Sequence, residues 1–207
     1  MEIYWGNVGA NEVIEYMRKH NFRILYTSPD FRTPKINNYA LDNGAYSDWK
    51  HNKDFKGEEF LNFLSKYKNR DITKPDWVAV PDRVAEGNRS LDFSLKWKEK
   101  IPDYFDRLLL VVQDGMSFED VEKHIDEFFG LFVGGTKRWK IDTSEDWIKL
   151  AHEYDKICHI GRISKYSEVM WAKRIGADSI DSTTWAQNFK YNSYKCLNDL
   201  DAQKKLI

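Results

Sequence analysis

Two hydrophobic rhythms alternate along the chain. Short apolar runs such as Leu108 to Val112 in "RLLLVVQDG" are each followed by a turn, then by a segment whose apolar residues recur every three or four positions. An unbroken run reads as a strand buried on both faces of a parallel sheet, and the longer period reads as an amphipathic helix. After Val112 comes "SFEDVEKHIDEFF", with Ser117 as N-cap, Asp120 at the third helical position, and Phe118, Val121, Ile125 and Phe128 along one stripe. The unit recurs. "GLFVGG" precedes "SEDWIKLAHEYDK", "ICHIGR" precedes "KYSEVMWAKRIG" with Gly176 as its cap, and "ADSIDS" follows as a further strand. Upstream, "EIYWGN" leads into "ANEVIEYMRKHN", "YALDNG" leads through a polar loop into "GEEFLNFLSKYKN", and "DWVAVPD" leads into "NRSLDFSLKWKEKI". One more strand, "FRILYTS", reaches "YALDNG" through "PDFRTPKINN", which has no helical pattern.

Eight strands alternating with helices predict an α/β fold, a compact (β/α)8 barrel of the TIM type with parallel strands, right-handed crossovers and one connection lacking its helix. An open doubly wound sheet is the alternative. The 207 residues fall below the ~250 typical of such barrels. No linker, repeat or low-complexity segment divides them, so residues 1–207 read as a single domain.

Composition narrows the class. The 32 basic and 33 acidic residues leave a formal net charge of -1, so no global field draws the protein to nucleic acid or a membrane, and any polynucleotide contact must be local. No run approaches a membrane span, and the first residues lack a basic segment followed by an apolar one. Cys158 and Cys196 have neither disulfide-framework nor zinc-knuckle spacing. These features suggest a cytoplasmic location, in a host's cytoplasm if the chain is phage-encoded, with Cys158 simply part of the core.

In a parallel barrel the chemistry sits at the carboxyl ends of the strands, and here those ends are polar. They carry Asp42, Asp82, Gln113, the pair Gly134 and Gly135, Gly161 with Arg162, and Asp181. Any one aspartate at such a place also reads as a turn former or helix cap; three together point to a site. Asp178, by alternation with Ile180, points to the opposite end and reads as structural. Gln113 offers a donor and an acceptor suited to a base edge. The glycines read either as a tight turn or as a place where a flat ligand meets backbone. Arg162 follows the seventh strand, where such barrels bind phosphate, and otherwise reads as a surface ion-pair partner. A magnesium site made of Asp42, Asp82 and Asp181 is a lesser alternative, since His159 is the only histidine near a strand end and it lies inside its strand.

The order of these motifs resembles the tRNA-guanine transglycosylase superfamily, most nearly its shortened relatives that insert 7-deazaguanines into phage or bacterial DNA. "LDNGAYSDW" stands where the family has a "DSGGFQ"-like segment, so the resemblance makes Asp42 the general acid/base. It makes Asp82 of "VAVPDRV" and Gln113 of "VVQDG" base contacts, lets Gly134 and Gly135 of "VGGTKRW" echo a glycine-rich strand end, and makes Asp181 of "DSIDS" the nucleophile. The match is collinear from Asp42 to Asp181. The family's zinc-binding cysteines and histidine after the nucleophile are missing, and the chain is much shorter than the tRNA enzymes; both departures turn the expectation from tRNA to DNA or a nucleotide.

The resemblance therefore implies a pentosyltransferase that exchanges guanine for a 7-deazaguanine base through a covalent sugar-aspartate intermediate, with no cofactor and no metal. Its partners would be DNA or a guanine nucleotide and the free 7-deazaguanine base, with no membrane; an accessory protein or a homodimer stays open. Hydrolysis of an N-glycosidic bond and non-catalytic nucleotide binding are the competing readings. For a polynucleotide, "TKRWK" offers Lys137, Arg138 and Lys140 around Trp139, cations and a stacking ring beside the pocket, or else a solvated loop with one packed tryptophan.

Overall fold

The computed structural model describes residues 1–6, 8–191 and 197. Eight parallel strands close into a barrel in sequence order. They are β1 (Glu2–Gly6), β2 (Arg23–Thr27), β3 (Tyr39–Asp42), β4 (Val78–Ala79), β5 (Leu108–Val112), β6 (Gly130–Val133), β7 (Ile157–Ile160) and β8 (Ser179–Ser182). Closure comes from β8 pairing with β1, Glu2 opposite Ser179 and Trp5 opposite Ser182. Around the barrel run α1 (Asn11–Lys19), α2 (Ala45–Lys50), α3 (Gly57–Lys68), α4 (Asn88–Lys98), α5 (Phe118–Glu122), α6 (Lys137–Glu153), α7 (Tyr166–Arg174) and α8 (Thr184–Gln187). The β2–β3 connection has no helix, as its sequence pattern predicts.

Four elements differ from the sequence reading. β4 is short because Pro81 has no N–H with which to extend the ladder beyond Val80, whose N–H still reaches the Leu109 carbonyl at 3.0 Å. The segment after Ser117 divides into α5 and a 3-10 turn, Ile125–Glu127, as its hydrogen bonds change to three-residue spacing: His124 N–H to Val121 O at 3.0 Å and Glu127 N–H to His124 O at 3.0 Å. The polar loop after β3 contains α2. Finally, α6 begins at Lys137 rather than Ser144, so "TKRWK" opens a helix.

Each strand buries both faces, which explains the unbroken apolar runs. One face fills the barrel with Tyr4, Leu25, Ala40, Trp77, Ala79, Leu109, Val111 and Phe132. The other packs residues such as Leu41, Leu110, Leu131 and Ile180 against helix side chains including Phe60, Phe63, Trp147 and Val169. Because strand side chains alternate, the inward series extends two residues at a time to the carboxyl end. Ala40 is followed by Asp42, Val111 by Gln113, Phe132 by Gly134, and Ser179 by Asp181. The residues that end these series meet at the barrel mouth.

At the opposite end, the floor, Asp76 Oδ2 accepts the Tyr4 hydroxyl at 3.0 Å and the Arg23 guanidinium at 2.8 Å, and Arg23 also reaches Glu2 at 2.9 Å. Asp178, just ahead of β8, accepts the Cys158 N–H at 2.7 Å and lies 2.9 Å from His152 Nε2. Cys158 is a buried free thiol; Cys196 lies outside the described residues. Among the described residues, no helix is long and apolar enough to cross a membrane.

Candidate active site

The mouth holds a cavity of about 430 Å³ lined by Asp42, Asp82, Gln113, Gly134, Gly135, Arg162 and Asp181, together with Asn43 and Tyr46. The strand-end residues singled out from the sequence are thus gathered in one place. Its size falls in the range of small-molecule sites, roughly 300–1,000 Å³.

Asp82 is buried and held by two amides. Its Oδ1 accepts Asn43 Nδ2 at 2.8 Å and its Oδ2 accepts Gln113 Nε2 at 2.6 Å. Asn43 also donates to the Val80 carbonyl at 2.8 Å, and its own carbonyl oxygen accepts the Ala45 N–H at 2.7 Å, tying the start of α2 to β4. Gly134 makes this network possible: a Cβ there would lie 2.5 Å from Gln113 Nε2, the nitrogen that holds Asp82. Burial pushes the Asp82 carboxyl up to about 6, against the pull of the Asn43 and Gln113 hydrogen bonds and the Arg162 charge.

Asp42, half-buried at the end of β3, is pushed further, to about 7. Burial is the main cause, followed by the negative charges of Asp181 and Asp82, while the backbone N–H groups of Gly44 and Asn43 oppose it. Asp181 faces it from β8. Its Oδ1 accepts the Arg162 N–H at 3.1 Å and lies 3.0 Å from Nε2 of the fully buried His159. His159 Nδ1 is 2.8 Å from the Ser179 hydroxyl. Burial lowers the His159 pKa, with Asp181 resisting, so the imidazole is neutral near pH 7. A carboxylate only accepts, which assigns the ring proton to Nε2 and leaves Nδ1 to accept from Ser179.

Arg162 crosses the mouth. Its guanidinium stands 3.7 Å from the centre of the Tyr46 ring and donates to the Gly135 carbonyl, while its backbone adopts a left-handed φ of 60°. The four residues of the basic-aromatic stretch have separate fates on α6. Lys137 pairs with Glu168 at 2.6 Å, and Arg138, exposed, pairs with Asp142 at 2.6 Å. Trp139 is half-buried, its ring beside Gly135 and 6.1 Å from that of Trp147. Lys140 turns inward, is buried, and donates to the Gly161 carbonyl.

Sequence reasoning overlooked Asn43, Tyr46 and the inward roles of His159 and Lys140. His159 could have been found, because it shares the inward parity of Gly161 two residues on. Tyr46 was hidden because α2 lies in a stretch with no apolar period. Among the described residues, no group of three or more His, Cys, Asp or Glu side chains is arranged to hold a metal ion. Comparison of the chain with known families and with curated proteins finds no matching family model and no matching protein.

Proposed function

We propose that this protein is a base-exchange transglycosylase that replaces guanine by a 7-deazaguanine base in DNA. The observation that carries the reading is a pair of carboxylates in one cavity with unlike surroundings: Asp181 anchored by His159 and a backbone N–H, and Asp42 pushed up to about 7 by burial and by Asp181 itself. Carboxyl groups held in unlike surroundings in this way divide acid and nucleophile roles. The collinear strand-end motifs support the same division.

In this mechanism an Asp181 oxygen attacks C1′ of the guanine nucleotide from the face opposite the base. The C1′–N9 bond breaks, its electron pair leaves with the purine, and Asp42 supplies the proton. The product is a sugar-aspartate ester. Asp42, now ionised, removes the N9 proton of the incoming 7-deazaguanine; N9 attacks C1′ and releases Asp181 as carboxylate. The logic parallels retaining glycosidases, which split one displacement into two through an oxocarbenium-like transition state. Gln113, Asp82 and the Gly134–Gly135 backbone supply polar groups for the base edge, and Arg162 a cation for phosphate.

The test incubates the protein with guanine-containing DNA, with tRNA and with free guanine nucleotides, each with and without a 7-deazaguanine base, and follows guanine release. Release from DNA only when the base is added supports exchange. Release without it replaces exchange by hydrolysis, and tight nucleotide binding without any release replaces both by a binding role.

A further inference from the structure

Lys140 is buried at 3% exposure in the wall of the barrel, outside the cavity lining, and among the described residues it makes no ion pair with an acid. An ammonium in such a place is costly unless something fixes it there. Its Nζ donates to the carbonyl of Gly161. The same peptide unit presents its N–H, that of Arg162, to Asp181 Oδ1 at 3.1 Å. Carbonyl and N–H of a trans peptide point in opposite directions. A cation at one end and a carboxylate at the other therefore lie along one peptide dipole, and each hydrogen bond polarises the other. The next peptide is pinned as well, Ile163 N–H reaching the Asp181 carbonyl at 2.8 Å, and between them Arg162 is held at its left-handed φ of 60°. Asp181 Oδ2 makes no hydrogen bond among the described residues.

We infer that Lys140 is a positioning residue for the candidate nucleophile: through the Gly161–Arg162 peptide it aims and strengthens the N–H that holds Asp181 Oδ1, leaving Oδ2 to attack. The inference rests on the reading of Asp181 as nucleophile, but its physical core, the polarised peptide, can be measured without any turnover. Lys140 acts on the peptide only while it is protonated. Burial, and then the Arg162 charge, bring its ammonium down to about 7, while Asp181, Glu168 and Asp114 hold it up. His159 lies within its field as well.

The experiment compares the intact protein with its Lys140→Met variant, which keeps a similar side-chain length without the charge. Two quantities are read: the amide proton shifts of Arg162 and Ile163 in the ¹⁵N-labelled protein, and the kinetics of guanine release from DNA. The Arg162 amide proton is expected downfield in the wild type and upfield in the variant, while that of Ile163 stays in place. In the variant kcat falls, on the order of 100-fold, the scale of a misplaced reacting group, with KM unchanged. Raising the pH through about 7 moves the wild-type Arg162 signal upfield as Lys140 loses its proton; the difference from the variant's curve separates Lys140 from Asp42, which titrates in the same range. An Arg162 amide that is the same in both folded proteins overturns the inference, as does an unchanged kcat. If the variant does not fold, the wild-type titration decides: no movement of the Arg162 amide beyond that of Ile163 overturns it. If wild type and Asp181→Asn alike release no guanine, the transglycosylase reading fails by itself, and the amide shift still decides the role of Lys140.

Discussion

The two ends of the barrel use the same residue type to opposite effect. At the floor, Asp76 lies between the Arg23 guanidinium and the Tyr4 hydroxyl, and Asp178 between His152 and a backbone N–H, so each carboxylate has a donor or a cation beside it. At the mouth, Asp42, Asp82 and Asp181 share one cavity in which Arg162 is the single lining cation among the described residues, and the Asp42 and Asp82 carboxyls are pushed up to about 7 and about 6. Paired acid contributes to stability; crowded acid costs stability and gains reactivity. An aspartate therefore takes its meaning here from which end of its strand it occupies.

The largest expected effect breaks the mouth. Asp181→Asn should abolish covalent capture of the sugar and slow guanine release by roughly 10⁴-fold or more, as loss of a nucleophile does. Asp42→Asn should cost about 10²- to 10⁴-fold, the usual range for a general acid. Single-turnover guanine release in the wild type should fall as the pH rises through about 7, because only protonated Asp42 can serve the leaving base. Rapid-quench measurement across the pH range checks all three. Lys140 titrates in the same range, so the deciding profile is that of Lys140→Met: a descending limb that disappears there would remove Asp42 from the acid role.

The next effect sets one end against the other in stability. The fold holds the Asp42 proton more tightly than the unfolded chain does, so this carboxyl's contribution to stability is lost as the pH rises from about 4, the usual aspartate value, through about 7. Asp42→Asn should thus stabilise the protein at pH 8, by on the order of 2–4 kcal/mol, and change little near pH 4. Asp76→Asn should instead destabilise the protein. It weakens a pair whose side chains are only 20% and 23% exposed, costing about 1–3 kcal/mol at neutral pH. Denaturant unfolding of the two variants at both pH values reads the contrast directly; a loss of stability in both at pH 8 would dissolve it.

The smallest effect lies outside the cavity. Arg138, 88% exposed at the start of α6 and paired with Asp142, is the member of the basic stretch best placed to reach a phosphate. If DNA is the polymer, Arg138→Ala should weaken binding evenly across sequences and lower the salt slope by about 1. Titrations at several salt concentrations measure it, and an unchanged slope would take Arg138 off the DNA path.

Much of this was legible before any coordinates. The unbroken run Leu108 to Val112 read as a strand buried on both sides, and eight strands alternating with helical periods pointed to a parallel barrel, with an open sheet as the alternative that the closed structure removes. Position along the strand then carried Asp42, Gln113 and Asp181 to one mouth and Asp178 to the other end, while the alternation of side chains set which face each takes. Position along a strand is local information, and a sequence contains it.

What a side chain touches is not local, and only the tertiary structure decided it. Lys140 read as one cation among several in a polar stretch; it became a buried partner of the Gly161 carbonyl because α6 begins at Lys137 and turns that residue inward. His159 reached Asp181 through the pairing of β7 with β8, across 22 positions of chain. Asn43 joined Asp82 across the end of the barrel, and so decided how much of that carboxylate is already bound. The sequence by itself pointed to the barrel and brought Asp42, Asp82, Gln113, Gly134, Gly135, Arg162 and Asp181 to its mouth, without Asn43 and Tyr46. The closed sheet decided which of them share a dielectric, a proton or a peptide bond, because those depend on distances between strands that no neighbour in the chain controls.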